Sequence, residues 1–128
     1  MLVVLLSGCS EHPFGGGNAE ELASEARSLL PPDARVISQG GGDCVELADY
    51  PSCWTLTFES NLRQEERVAA VEASAADADW ESRGQSRTQV STWLQFEKGH
   101  FFATVILYFP DCPKGLRARC TDTVRVLD

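Results

Sequence analysis

Residues 85–109 read QSRTQVSTWLQFEKGHFFATVILYF. Val90, Thr92, Leu94 and Phe96 recur at every second position, the period of a strand with one buried face. Gln85 to Glu97 is therefore expected to form one long strand, Lys98-Gly99 a turn, and His100 to Phe109 the returning strand of a hairpin. The returning strand is apolar on both sides. Phe101, Ala103, Val105, Leu107 and Phe109 make one row; Phe102, Ile106 and Tyr108, with Thr104 among them, make the other. If the Phe101–Phe109 row faces the core, then Trp93, Phe102, Ile106 and Tyr108 share the opposite face. Contiguous apolar surface on a sheet marks a candidate contact site, and aromatic residues are common interface anchors. These four residues are the candidate partner-binding set. Burial beneath loops of the same chain is the structural alternative.

The same patterning extends outward in both directions. Trp54, Leu56 and Phe58 alternate with Thr55, Thr57 and Glu59, predicting a strand over Cys53–Ser60. Arg35–Gln39 reads as a short first strand, loosened afterwards by Gly40-Gly41-Gly42, and Thr121–Leu127 as a last one. Two helices are expected. The first opens at Asn18 with Glu21 three residues on, carries Leu22, Ala26, Leu29 and Leu30 at helical spacing, and stops at Pro31-Pro32. The second opens with an Asn61/Gln64 box and runs to about Asp77, with Val68, Val71 and Ala75 on one stripe. Trp80 is expected to anchor its exit. The order αββαβββ implies an α+β fold: a two-layer sandwich with a mainly antiparallel sheet of about five strands and two helices on one face.

At the other end of the chain, the apolar run Leu2–Leu6 is far shorter than the roughly 20 residues that span a bilayer. It leads into Leu6-Ser7-Gly8-Cys9, which resembles the lipobox of bacterial lipoproteins. The resemblance implies cleavage before Cys9, acyl chains on Cys9, and a domain held on the extracytoplasmic side of the cell membrane. No Lys or Arg precedes the run, and an upstream start would supply one. Residues 1–8 are then a signal segment, 9–18 a flexible tether containing Gly15-Gly16-Gly17, and 19–128 a single domain. With Cys9 acylated, the remaining cysteines form an even set suited to an oxidising compartment. Of the three connectivities, Cys44–Cys53 with Cys112–Cys120 closes the two shortest segments. Nine Arg against two Lys, with abundant Ala, suggest a high-GC bacterial genome of the actinobacterial kind.

A net charge of −8 disfavours nucleic acid as a partner, because no basic stripe meets the phosphates. It also disfavours a folded face lying on anionic lipid, so attachment would rest on the acyl chains. No zinc spacing is present: there is no Cys-x-x-Cys, and His12 and His100 stand apart. Asp77, Asp79 and Glu81 lack the spacing of a calcium loop. Nucleophile elbows and phosphate loops are missing. The sequence thus points to a non-enzymatic domain, without cofactor or metal. It would bind an envelope protein, another envelope component or a second copy through the open sheet face. A carrier or sensor of a small apolar ligand, held between helices and sheet, is the alternative.

Overall fold

The computed structural model describes residues 19–41, 52–110 and 120–128. The elements are α1 (Ala19–Arg27), β1 (Arg35–Gly41), β2 (Cys53–Glu59), α2 (Gln64–Asp77), β3 (Glu81–Arg87), β4 (Ser91–Lys98), β5 (Phe101–Tyr108) and β6 (Asp122–Leu127). The six strands form one sheet in the order β1-β2-β6-β5-β4-β3, and every neighbouring pair is antiparallel. Among the described residues the fold is α+β, with two helices and six strands rather than about five.

The additional strand comes from a turn inside the expected Gln85–Glu97 strand. Thr88 donates its backbone N–H to the Ser91 carbonyl (2.8 Å). Its hydroxyl oxygen accepts the N–H groups of Val90 (3.1 Å) and Ser91 (3.0 Å). One short polar side chain thereby closes a turn that lacks Gly, Pro, Asn and Asp. Val90 leaves the inward row, and the order becomes αββαββββ. Thr88→Val keeps the shape and removes the oxygen. It is expected to cost about 1–2 kcal/mol in urea unfolding, since two backbone donors lose their acceptor; no measurable loss would show that the turn closes without it.

The second helix also starts differently from its expected Asn61/Gln64 box. Asn61 is held back by Asp33, whose carboxylate accepts the Asn61 N–H (2.9 Å) and the Ser60 hydroxyl (2.7 Å). These bonds hold the exposed Asp33 carboxyl below its ordinary value, the Ser60 bond contributing most. Arg63 becomes the N-cap, and its N–H donates to the Glu66 carboxylate (3.1 Å). At the far end Asp79 takes a left-handed conformation (φ 68°), and the Trp80 N–H returns to the Ala75 carbonyl (2.8 Å). This geometry drives Trp80 into the core, where its indole N–H donates to the Ser28 hydroxyl (3.0 Å). Lys98 lies over the same indole and pairs with Glu25 of α1 at 2.9 Å.

α1 ends at Arg27, and tighter i−3 bonds carry the chain through Leu29 and Leu30. Strand β1 runs two residues further than expected. A Cβ on Gly41 would sit 2.9 Å from the Cys53 carbonyl oxygen, so the β1–β2 approach requires glycine there.

One buried cluster gathers Leu22, Ala26 and Leu29 from the first helical segment and Val71 and Ala75 from α2. The inward rows of the strands complete it, among them Leu56, Phe58, Leu94, Phe96, Ala103, Val105, Leu107, Val124 and Val126. The alternation in β4 and β5 survives intact, with Leu94 and Phe96 inward and Phe101, Ala103, Val105 and Leu107 inward beside them.

Candidate functional site

The outward sheet face carries no helix among the described residues, and its strand register defines rows that cross the sheet. One row contains Trp93, Ile106, Thr123 and Thr57. The next contains Gln95, Thr104, Arg125 and Thr55. A third contains Glu97, Phe102, Leu127 and Cys53. Tyr108 pairs with Ser91 on the far side of the Trp93 row.

Of the four candidate residues, Trp93 is the most open, at 37% exposure. Ile106 and Tyr108 are half-buried beside it, and the Trp93 indole N–H donates to the Ser91 hydroxyl (2.9 Å). Phe102 is set apart. It packs on Cys53 and Leu127, with the polar Gln95–Thr55 row between it and Trp93. Three of the four candidates therefore share a site and the fourth joins a separate buried cluster. Edge strand β1 adds a further open apolar residue, Ile37, which is 50% exposed where the pairing with β2 slips.

A different arrangement lies at the end of the sheet, unmarked by any sequence motif. A cavity of about 400 Å³ opens between the start of α2 and the ends of β2, β5 and β6, lined by Arg63, Gln64, Arg67, Tyr108 and Asp122 among others. Arg67 and Asp122 form a 2.8 Å ion pair in which their side chains are only 12% and 5% exposed. Arg67 also donates to the Tyr108 carbonyl (2.8 Å) and to the Gln64 side-chain oxygen. Asp122 also accepts the Tyr108 N–H (2.9 Å). Burial pushes the Asp122 carboxyl above its ordinary value, against the opposing pull of the Tyr108 N–H and Arg67. These bonds lock α2 to the β5–β6 ends, and the buried Arg67 Nε is left without a hydrogen-bond partner. The inward position of Arg67 and of Asp122 was legible by spacing, but their pairing was not. Arg67 lies four residues before Val71 on the stripe that faces the sheet, and Asp122 leads the inward series Asp122, Val124, Val126.

His100 contacts the Asp128 carboxylate and stacks near Phe101 at 4.4 Å, tying the β4–β5 turn to the last residue. Asp77 ends α2, Asp79 occupies the left-handed turn, and Glu81 pairs with Arg83 in β3. Among the described residues, no three His, Cys, Asp or Glu side chains converge as a metal site, and no helix is long and apolar enough to cross a membrane.

Cys53 and Cys120 are each disulfide-bonded. They are not bonded to each other. Cys53 stands opposite Leu127, whereas Cys120 precedes Asp122, which stands opposite Phe58. That places Asp122 about 16 Å from Cys53 along the ladder, and Cys120, only two residues from Asp122, stays beyond the Cα separation a disulfide spans. The connectivity that joins Cys53 to Cys120 is thereby removed. Cys9, the tether 9–18, His12, Cys44 and Cys112 lie outside the described residues. No protein-family model, curated protein or solved structure matches the chain.

Proposed function

We propose that the chain is a lipid-anchored, non-enzymatic binding module on the extracytoplasmic side of a bacterial cell membrane. Cys9 is its anchor, and the sheet face around Trp93, Ile106 and Tyr108, which carries no helix among the described residues, is its recognition surface. The observation that carries this reading is the exposed indole of Trp93 on that face. An amphipathic ring on a rigid strand gives contact area with little ordering cost. The lipobox-like Leu6–Cys9 and the disulfide-bonded state of Cys53 and Cys120 support an oxidising, membrane-attached setting. The acyl chains would raise the local concentration of envelope ligands, so a weak contact at the face suffices. The alternative apolar-ligand carrier needs space between helices and sheet. Leu29, Leu56, Val71, Val105 and Val124 are fully buried in that layer, and the cavity beside Arg67 and Asp122 opens at its end.

The face is tested with a Cys9→Ala chain added to purified envelope fragments, so that lipid does not hold it. It is expected to sediment with the fragments. Trp93→Ala on the same chain should weaken sedimentation about thirtyfold, the loss typical of an aromatic anchor, with less than about 1 kcal/mol change in stability. Unchanged sedimentation would remove the recognition surface. The anchor is tested separately, by palmitate labelling that should disappear in Cys9→Ala.

A further inference from the structure

The two disulfide-bonded cysteines stand at opposite ends of the sheet. Cys53 shares a row with Leu127 and Phe102 and packs with them. Cys120 lines the cavity beside Arg67 and Asp122. Their partners lie outside the described residues, and the chain between each partner and its nearest described residue limits where that partner can be. Phe109 lies seven residues beyond Phe102, and its N–H donates to the Val90 carbonyl, which carries the β4–β5 ladder through it. It is therefore about 24 Å from the Cys53 row along the strand. Cys112 follows Phe109 by three residues, a reach of about 11 Å at most. At least about 13 Å then separates Cys112 from Cys53, well beyond the Cα separation a disulfide spans. Cys44 is placed differently. It follows Gly41 by three residues, and Gly41 stands opposite Trp54, the neighbour of Cys53 in the chain.

We infer that Cys53 is bonded to Cys44 and Cys120 to Cys112, which leaves Cys9 as the one cysteine free to carry lipid. The inference rests on the reading of Cys9 as the anchor, since a sulfur that carries lipid forms no disulfide. Cys53 is out of reach of both Cys120 and Cys112, so its partner is Cys44. Cys120 is disulfide-bonded, and Cys112 is then the cysteine that remains for it. Of the three connectivities open to the sequence, register and reach leave this one. Loop closure points the same way. A bond from Cys9 to Cys53 or Cys120 would close a far longer segment than 44–53 or 112–120, and the cost of closure rises with length. Each bond forms as two thiols give up two protons and pass two electrons to the disulfide of an oxidoreductase, which ends as a dithiol. With four of the five cysteines committed in this way, no second thiol competes with Cys9 for the acyl chains or cross-links neighbouring copies on the membrane.

The test is peptide mapping of the native chain, taken from membranes, alkylated with iodoacetamide and digested with trypsin without reduction. Cuts after Arg35 and Arg63 place Cys44 and Cys53 in one peptide, 36–63. Cuts after Lys98, Lys114, Arg119 and Arg125 place Cys112 in 99–114 and Cys120 in 120–125. Peptide 36–63 is expected to be lighter than its reduced form by one pair of hydrogens and joined to no other peptide. A further cut after Glu46 should leave the fragments carrying Cys44 and Cys53 joined until reductant is added. Peptides 99–114 and 120–125 should appear as one linked mass. A link from 36–63 to either of them, or a disulfide at Cys9, would overturn the pairing. The anchor can fail separately. Both bridges present with Cys9 alkylated would remove the anchor and keep the pairing. Lipid on Cys9 with Cys44 or Cys112 alkylated would keep the anchor and overturn the pairing.

Discussion

Arg67→Met is expected to destabilise the domain by about 3–5 kcal/mol at neutral pH, the range for removing one partner of a buried pair. The cost arises on the other residue. Asp122 is 5% exposed and loses its guanidinium while keeping only the Tyr108 N–H. Asp122→Leu combined with Arg67→Met removes both charges, and the double variant should be more stable than Arg67→Met alone. The effect has a pH signature. Burial raises the folded Asp122 carboxyl above its ordinary value, and Arg67 is one of the groups opposing that rise. Between the two values the folded chain holds more protons than the unfolded one, so stability from this group increases as pH falls through that window. Removing Arg67 pushes the folded value higher and widens the window upward. The gap between wild type and Arg67→Met in urea unfolding should therefore be largest near neutrality and shrink under mild acid. A gap independent of pH would mean that Arg67 acts by packing its stem against the sheet rather than by neutralising Asp122.

The ion pair and the Thr88 turn escaped the sequence for different reasons. Strand alternation was readable wherever burial alone decides orientation: Leu56 and Phe58 in β2, Leu94 and Phe96 in β4, and Phe101, Ala103, Val105 and Leu107 in β5 face inward. Thr88 makes its turn with a β-branched residue of high strand propensity, and the alternation of Val90, Thr92, Leu94 and Phe96 begins directly after it. Only the pairing of Arg87 with Thr92 across the turn reveals the reversal. Arg67 occupies a core-facing helix position, but its partner lies 55 residues away, so no local spacing joins them. The insertion of β6 between β2 and β5 is likewise a non-local event. It explains why Phe102 left the expected patch, since β6 brings Leu127 alongside it. The Trp93–Ile106–Tyr108 grouping was accessible earlier because it needs only the β4–β5 hairpin.

Phe96→Ala is expected to cost about 3–5 kcal/mol, the usual penalty for emptying a buried phenyl site. Phe96 is 2% exposed and stands directly opposite Ala103, which has no exposure. The pair sets a phenyl ring beside a methyl group, so the space above Ala103 is filled by the Phe96 ring or its neighbours. Ala103→Phe alone should overpack the site and cost about 1–3 kcal/mol. With both changes the ring returns from the adjacent strand, and the combined loss should fall below the sum of the single losses by at least about 1 kcal/mol. Strict additivity in urea unfolding would show that the two positions do not share one packing volume. The consequence reaches the other face. A one-residue slip between β4 and β5 exchanges inward and outward rows, placing Gln95 in the core and Phe96 in water. Inward packing at Phe96 and Ala103 is what keeps Gln95 beside Thr104, and Trp93 beside Ile106, on the open face. A Phe96→Ala chain that remains folded should therefore keep its Trp93-dependent binding, and should lose it only as the domain unfolds.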